Sequence, residues 1–327
     1  MSEPVIQLPA DAYLHPDAAN EWWWHTGTLQ AGERRFGFEI NAAGFRHANG
    51  PLPPVCFTEM MLSDPQTQTH YQNTSQYPYD PAWAESDPSQ PWYARMGDLQ
   101  SDNWVSMSSQ GDIWTLWVAA SFTDAGTGQQ VTFNLRLSQH GKPLLVWGTG
   151  EDPAHTNFYY SFTNLQVEGT ISIAGEVIAV TGVTWMDHQY GVFAATTQWV
   201  LQDAQLDNGV CLSSSAVGPL TLVNGGPVPR AYTSMLRDGV STVVETSITP
   251  SNPWLEGGPT TYYLTWDVTL TWGDVLAPRV NLRFEALMSD QLFRTSPISV
   301  YEGAATVTGT FDGLPVTGTA WLEQALG

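Results

Sequence analysis

Val180-Thr-Gly182-Val-Thr-Trp185-Met-Asp187-His188-Gln189 and Val316-Thr-Gly318-Thr-Ala-Trp321-Leu-Glu323-Gln324 are two versions of one stretch. Trp185 aligns with Trp321, and Asp187 with Glu323. The likeness extends upstream, where Val167-Glu-Gly169-Thr170 matches Val307-Thr-Gly309-Thr310. Asn134-Leu-Arg136-Leu137 returns as Asn281-Leu-Arg283-Phe284. Trp24 with Leu29-Gln-Ala-Gly32 is echoed more loosely by Trp199 with Leu206-Asp-Asn-Gly209. The echoes keep the same order at similar but drifting spacings, which indicates two halves of roughly 160 residues with loops of different length.

The pattern inside each half alternates. Trp114-Thr-Leu116-Trp-Val118, Val131-Thr-Phe133-Asn-Leu135-Arg-Leu137 and Tyr263-Leu-Thr-Trp266-Asp-Val268-Thr-Leu270 have the period-two rhythm of strands with one buried face. Turn formers bound them, as in Asp124-Ala-Gly-Thr-Gly128, Asp207-Asn-Gly209 and Asp312-Gly313. Helical patterning is nearly absent; the longest helix-permissive stretch is near Asp80–Ala84. The expected fold class is therefore all-β, with two antiparallel barrels in tandem. Barrels are favoured over sandwiches because 15 Trp need wide interiors and closure removes exposed strand edges. We place the N-terminal barrel at residues 1–160 and the C-terminal barrel at 161–327. Residues 63–103, polar and rich in Pro, Gln and Tyr, read as a long loop that could cap a barrel mouth. Residues 219–230 and 248–262 read as similar segments in the second half.

Composition removes several function classes. The net charge of −21 comes from 32 acidic against 11 basic residues, so nucleic acid and anionic membranes repel the chain. Lys142, the only lysine, sits in a Gly-Lys-Pro turn and is a poor Schiff-base candidate. No Gly-x-Ser-x-Gly elbow, phosphate loop or dinucleotide fingerprint occurs. The seven His are scattered singly, without metal-ligand spacing, and a site joining His25, His188 and Asp187 is not favoured. We expect no metal and no cofactor. Cys56 and Cys211 read as buried free thiols. Met1 to Leu14 lacks the pattern of a signal peptide, and no apolar run reaches membrane-spanning length. The expectation is a cytoplasmic protein without stable membrane insertion; the sequence is silent on oligomeric state.

Two stretches carry candidate chemistry. Glu21-Trp22-Trp23-Trp24-His25 places a carboxylate and an imidazole around three indoles. Its structural alternative is that Glu21 pins the entry to the barrel. Asp187-His188-Gln189-Tyr190 is the sharper cluster. Neighbours on a strand face opposite sides, so Asp187 and His188 are not expected to share one pocket. An Asp187 in an aromatic cavity would be kept protonated by desolvation, and could pass a proton to an alkene or a carbonyl. A buried bond between the halves is the competing reading.

These residues also carry a family resemblance. Glu21-Trp22-Trp23 with Thr26-Gly27-Thr28-Leu29 and Arg35-Phe36-Gly37-Phe38-Glu39 resembles the opening of the hydroxyneurosporene synthase (carotenoid 1,2-hydratase) family, which is grouped with lipocalin-like hydrolases. Tyr159-Tyr160-Ser161, Val180-Thr-Gly182 and Trp185-Met-Asp187-His188 are similar to its central signature. Tyr301-Glu302-Gly303 and Trp321-Leu-Glu323 resemble its ending. The resemblance spans nearly the whole chain and implies two lipocalin-like barrels with a pocket near their junction. It also implies a hydrophobic small-molecule substrate, and either hydration of a double bond or a cyclisation as in related natural-product cyclases. The family usually continues Met-Asp-His-Glu-Trp-Gly, whereas Gln189 and Tyr190 stand here, so a mechanism with two acids in this motif is not expected.

Asp187, His188, Glu21, His25 and Tyr190 are accordingly the catalytic candidates. Trp22, Trp24, Trp185, Tyr160, Trp199, Trp321 and Glu323 are the substrate-binding candidates. The leading expectation is an enzyme that protonates an apolar unsaturated terpenoid, polyene or polyketide-like molecule. A pericyclase or isomerase acting through preorganisation is the first alternative, and a non-catalytic binder of a hydrophobic ligand the second.

Overall fold

The computed structural model describes residues 3–46, 53–109, 111–193, 197–255, 260–273, 278–294 and 300–326. Among them it has no α-helix, only two short 3-10 turns. The first unit comprises residues 1–143 and 150–193, the second residues 144–149 and 194–327.

In the first unit the strands are β1 (Asn20–Ala31), β2 (Arg34–Phe45), β3 (Val55–Asp64), β4 (Thr69–Pro78), β5 (Tyr93–Met96), β6 (Trp104–Ser109), β7 (Thr115–Thr123), β8 (Gln130–Gln139), β10 (Asn157–Ile173) and β11 (Glu176–Gly191). They follow the order β4-β3-β2-β1-β11-β10-β8-β7-β6-β5. Hydrogen bonds from Gln72 N to Asp124 and from Asn73 Nδ2 to the Thr123 carbonyl tie β4 to the end of β7, so this barrel is nearly closed. Leu29, Phe36, Phe38, Ile40, Phe122 and Phe133 fill its interior.

In the second unit the strands are β9 (Leu144–Leu145), β12 (Trp199–Leu206), β13 (Cys211–Val217), β14 (Tyr232–Arg237), β15 (Val240–Trp254), β16 (Tyr262–Thr271), β17 (Val280–Ala286), β18 (Leu292–Phe293), β19 (Val300–Phe311) and β20 (Leu314–Ala325). Pairing of β17 with β19 closes an eight-stranded barrel around Trp266, Val268, Leu282 and Phe284. Two antiparallel barrels are the fold expected from the alternation.

The duplication is written in the registers. Gly169 pairs with Val180 and faces Leu135; Gly309 pairs with Val316 and faces Leu282. Both glycines are required by close approach: a Cβ would lie 2.2 Å from the Asn134 carbonyl oxygen in one copy and 2.0 Å from that of Asn281 in the other. A bulge between Phe162 and Leu165 lengthens β10 and explains part of the drift in spacing.

Four expectations need correction. β10 and β11 both pair within the first sheet, so residues 161–193 belong to the first barrel and the division falls after Phe193, not at 160. The strands supplying the repeated stretch close each barrel against its own first strand, and this long-range pairing leaves no local mark. Trp199 corresponds to Trp22 rather than Trp24, because Leu29 faces Gly182 as Leu206 faces Gly318, and Trp22 precedes Leu29 as Trp199 precedes Leu206. Residues 63–103 are not one loop: they contain β4, paired along its length with β3, and β5. Polar side chains on the outer face of β4 hid its alternation. Likewise β15 runs through residue 254, inside the supposed loop 248–262, of which 256–259 lie outside the described residues.

Candidate active site on the two faces of strand β11

β1 lies between β11 and β2, and β10 flanks β11. Cross-strand partners share a face, so the registers sort the candidates into rows. The inner face carries Glu21 with Tyr190, Trp23 with His188 and Tyr160, and His25 with Met186 and Phe162. The outer face carries Ser161, Asp187, Trp24 and Asn41 in one row, with Trp185, Thr26 and Glu39 in the next.

The inner face is tied together by Glu21. Its Oε1 receives the ring nitrogens of His15 at 2.8 Å and His188 at 2.9 Å, and its Oε2 accepts the His15 backbone N–H at 2.8 Å. Burial works against the Glu21 charge, but the hydrogen bonds from His15 and His188 outweigh it and hold its pKa below the usual range. Burial also works against a charged His15, yet Asp11 and Glu21 raise its pKa to about 9. His188 moves the other way, lowered chiefly by burial. Aromatic contacts fix the rings: Tyr190 stacks on His15 at 3.5 Å and Trp23 on His188 at 4.4 Å. Trp83 packs where Gly44 leaves room, 2.8 Å from where a Cβ would stand. His15, Glu21 and His188 place three atoms of metal-ligand type within 4.8 Å of one another. The short ring–carboxylate contacts already satisfy them as hydrogen bonds, and we read them as a proton-sharing cluster. It anchors the segment before β1 to β11, the pinning role that Glu21 had as its alternative. His25, further inside the barrel, is fully buried, with its pKa lowered to about 3 by burial and neither ring nitrogen partnered. Asp187 lies on the opposite face, so no site joins His25, His188 and Asp187.

The outer face has a different character. Asp187 Oδ1 accepts the Ser161 hydroxyl at 2.5 Å and the Trp185 indole N–H at 2.7 Å. Burial raises the Asp187 pKa to about 6, against the hydrogen bonds from Ser161, Trp185 and Tyr159 that lower it. Beside it, Trp24 Nε1, Thr26 Oγ1 and Asn41 Nδ2 are buried without a partner. Asn41 is held by its other end, since Oδ1 accepts the Glu59 backbone N–H at 3.0 Å. The arrangement is a carboxyl able to be neutral near pH 6, flanked by two indoles and by polar groups with free capacity. Ser161 and Glu39 entered the sequence reading only within the family motifs, and Asn41 was not singled out. Their signal was Asn41 and Glu39 at alternate positions in an otherwise apolar strand.

The remaining candidates are in the second unit or at its matching positions. Trp199 Nε1 donates to Glu323, and Trp321 Nε1 donates to Glu302 at 2.6 Å. Both Trp–carboxylate contacts lie on the outer face of β12, β19 and β20, since Leu201 pairs with Glu323 and Glu302 with Glu323. Trp22 stacks on Phe45, and Tyr160 packs edge-on to His188. Cys56 and Cys211 are buried free thiols. Among the described residues no helix is long and apolar enough to cross a membrane.

A family model described as AttH-like matches residues 1–325, and the chain belongs to that family. The chain is similar to a Nitrosomonas europaea protein assigned to AttH, whose crystal structure matches with a TM-score of 0.77 at 22% identity, covering 100% of this chain and 99% of that one. It is also similar to kievitone hydratase from Nectria haematococca, with a TM-score of 0.71 at 14% identity, covering 98% and 93%. At these identities the likeness establishes the shared fold. No curated protein matches the chain.

Proposed function

We propose that this AttH-like protein is a cofactor-independent enzyme that protonates an apolar unsaturated small molecule, with Asp187 as the proton donor, and that hydration is the outcome. The observation that carries this reading is the Asp187 carboxyl, buried beside Trp24 and Trp185 and raised to about 6. A general acid is most effective with a pKa near the working pH. The similarity in fold to a protein named as a hydratase favours the same class.

Ser161 and Trp185 both donate to Oδ1 and Tyr159 also hydrogen-bonds the carboxyl, and we place the proton to be transferred on Oδ2. The proton passes from Oδ2 to one alkene carbon, and the π pair forms the new C–H bond. The other carbon becomes cationic and is met by the ring faces of Trp24 and Trp185. Water adds to that carbon and returns a proton to the Asp187 carboxylate, so the acid is regenerated. Trp24 Nε1 and Asn41 Nδ2 offer donors to an oxygen elsewhere on the substrate, which would fix its orientation. On the other face of β11, Glu21 and His188 keep the strand in register.

Incubating the protein with acyclic polyenes and terpenoids in ¹⁸O-water, with products read by mass, tests this directly. A product heavier by one labelled water, lost in Asp187→Asn, supports hydration. A product of unchanged mass and new retention means cyclisation or isomerisation. Turnover retained in Asp187→Asn removes Asp187 from the chemistry, and bound but unchanged ligand identifies a binder.

A further inference from the structure

We propose that the interior of the second barrel is a binding site for one apolar chain carrying a neutral hydroxyl or amide headgroup, with Gln202 as its polar contact. The site is independent of the reading given to Asp187. Gln202 lies on β12 with 0% exposure, and neither Oε1 nor Nε2 has a partner. It faces inward, because Val200 and Ala204 on the same side of the strand belong to the barrel core.

Gln202 is not alone in its layer. Its cross-strand partner on β13 is Ser214, whose hydroxyl lies 2.7 Å from that of Thr233 on β14. Thr233 is in turn reached by Thr246 Oγ1 on β15 at 2.8 Å. One amide and three hydroxyls thus run across four neighbouring strands on the inner face of the barrel. Ser214 opposite Gln202 on β13 and the diagonal Ala216 and Ala320 are small, and Leu322 stands opposite it on β20.

A buried amide without partners is destabilising, because it has given up its bonds to water without replacement. A bound group that both donates and accepts would offset that cost by meeting Nε2 and Oε1 together. A hydroxyl or a primary amide does so. A carboxylate does not, since the four residues of this layer carry no positive charge. The first barrel supplies the contrast. His25 occupies the register of Gln202 and is also buried and unpartnered, but its row is filled by Ile40, Met186 and Phe162. It therefore lacks the hydroxyl chain, and we assign the site to the second barrel alone.

The test titrates the full chain with decan-1-ol, decanamide and decanoate at pH 8, by calorimetry and native mass spectrometry. The expected result is one alcohol or amide per chain, with decanoate at least about tenfold weaker. Gln202→Leu should weaken decan-1-ol about tenfold, the loss of one to two hydrogen bonds. The same variant without ligand should unfold at a higher temperature than the wild type, which shows that it folds. Asp187→Asn should bind decan-1-ol as the wild type does. Absence of binding, or equal binding by wild type and Gln202→Leu, overturns the proposal and leaves Gln202 satisfied by buried water. Binding that responds to Asp187→Asn instead places the ligand at the first barrel and also overturns it.

Discussion

In the hairpin β10–β11, Ser161 and Asp187 face each other; in β19–β20 the same position in the register joins Glu302 to Glu323. On the opposite face, Glu21 and His188 share a hydrogen-bonded cluster, whereas the matching Gln198 and Gln324 serve as backbone clamps. Gln324 accepts from Tyr263 N–H at 2.8 Å and donates to the Tyr263 carbonyl at 2.9 Å. The indoles diverge too: Trp185 donates to the acid on its own strand, Trp321 to Glu302 across the pair. The lesson is that a duplicated β-frame fixes where side chains project, and single substitutions on it decide whether a position titrates or only bonds.

The strongest way to break this comparison is by activity. Asp187→Asn should lower turnover about 10²–10⁴-fold with the fold intact, the usual range for loss of a general acid. Glu323→Gln should change it less than about threefold, within the spread seen for residues outside the chemistry. Equal collapse of both, read by the labelled-water assay, would mean the copies have not diverged in role. The anchoring clusters come next. Glu21→Ala strands His15 and His188 and should cost about 3–5 kcal/mol in urea unfolding. Gln324→Ala leaves the Tyr263 backbone groups unpaired and should cost about 1–3 kcal/mol.

The pH dependence sharpens the same contrast. With Asp187 raised to about 6 and required protonated, kcat/KM should fall roughly tenfold per unit once pH exceeds that value. An acid raised on folding binds its proton more tightly in the native state, so stability declines as pH rises from about 4 to about 6. Asp187→Asn should remove this decline and melt higher than the wild type above pH 6. His15 has the opposite bearing. Its pKa, raised to about 9 by Asp11 and Glu21 with His188 and Tyr190 also facing it, gives stability that is complete below about 6.5 and lost as pH rises through 9. His15→Gln should flatten that limb of the melting curve and leave the Asp187 limb in place.

His15 and Asp11 show where sequence reading ends. They lie outside every motif, yet His15 balances the charge of Glu21 and Asp11 supports His15, because a segment preceding β1 folds back on the inner face. Asn41 and Glu39 likewise reach the Asp187 face only through the β1–β2 register. By contrast, the opposite orientation of Asp187 and His188 followed from adjacency alone, since successive side chains on a strand alternate faces.

The sequence by itself determined the strand alternation, the internal repeat and the paired glycines, because these depend on local periodicity and on backbones that approach within a Cβ radius. The tertiary structure alone decided that β11 closes on β1, that the first barrel extends to Phe193, and that Gln202 is buried without a partner in a layer of hydroxyls. Each of these depends on pairing between residues far apart in the chain, and that pairing is set by barrel closure rather than by any stretch of sequence.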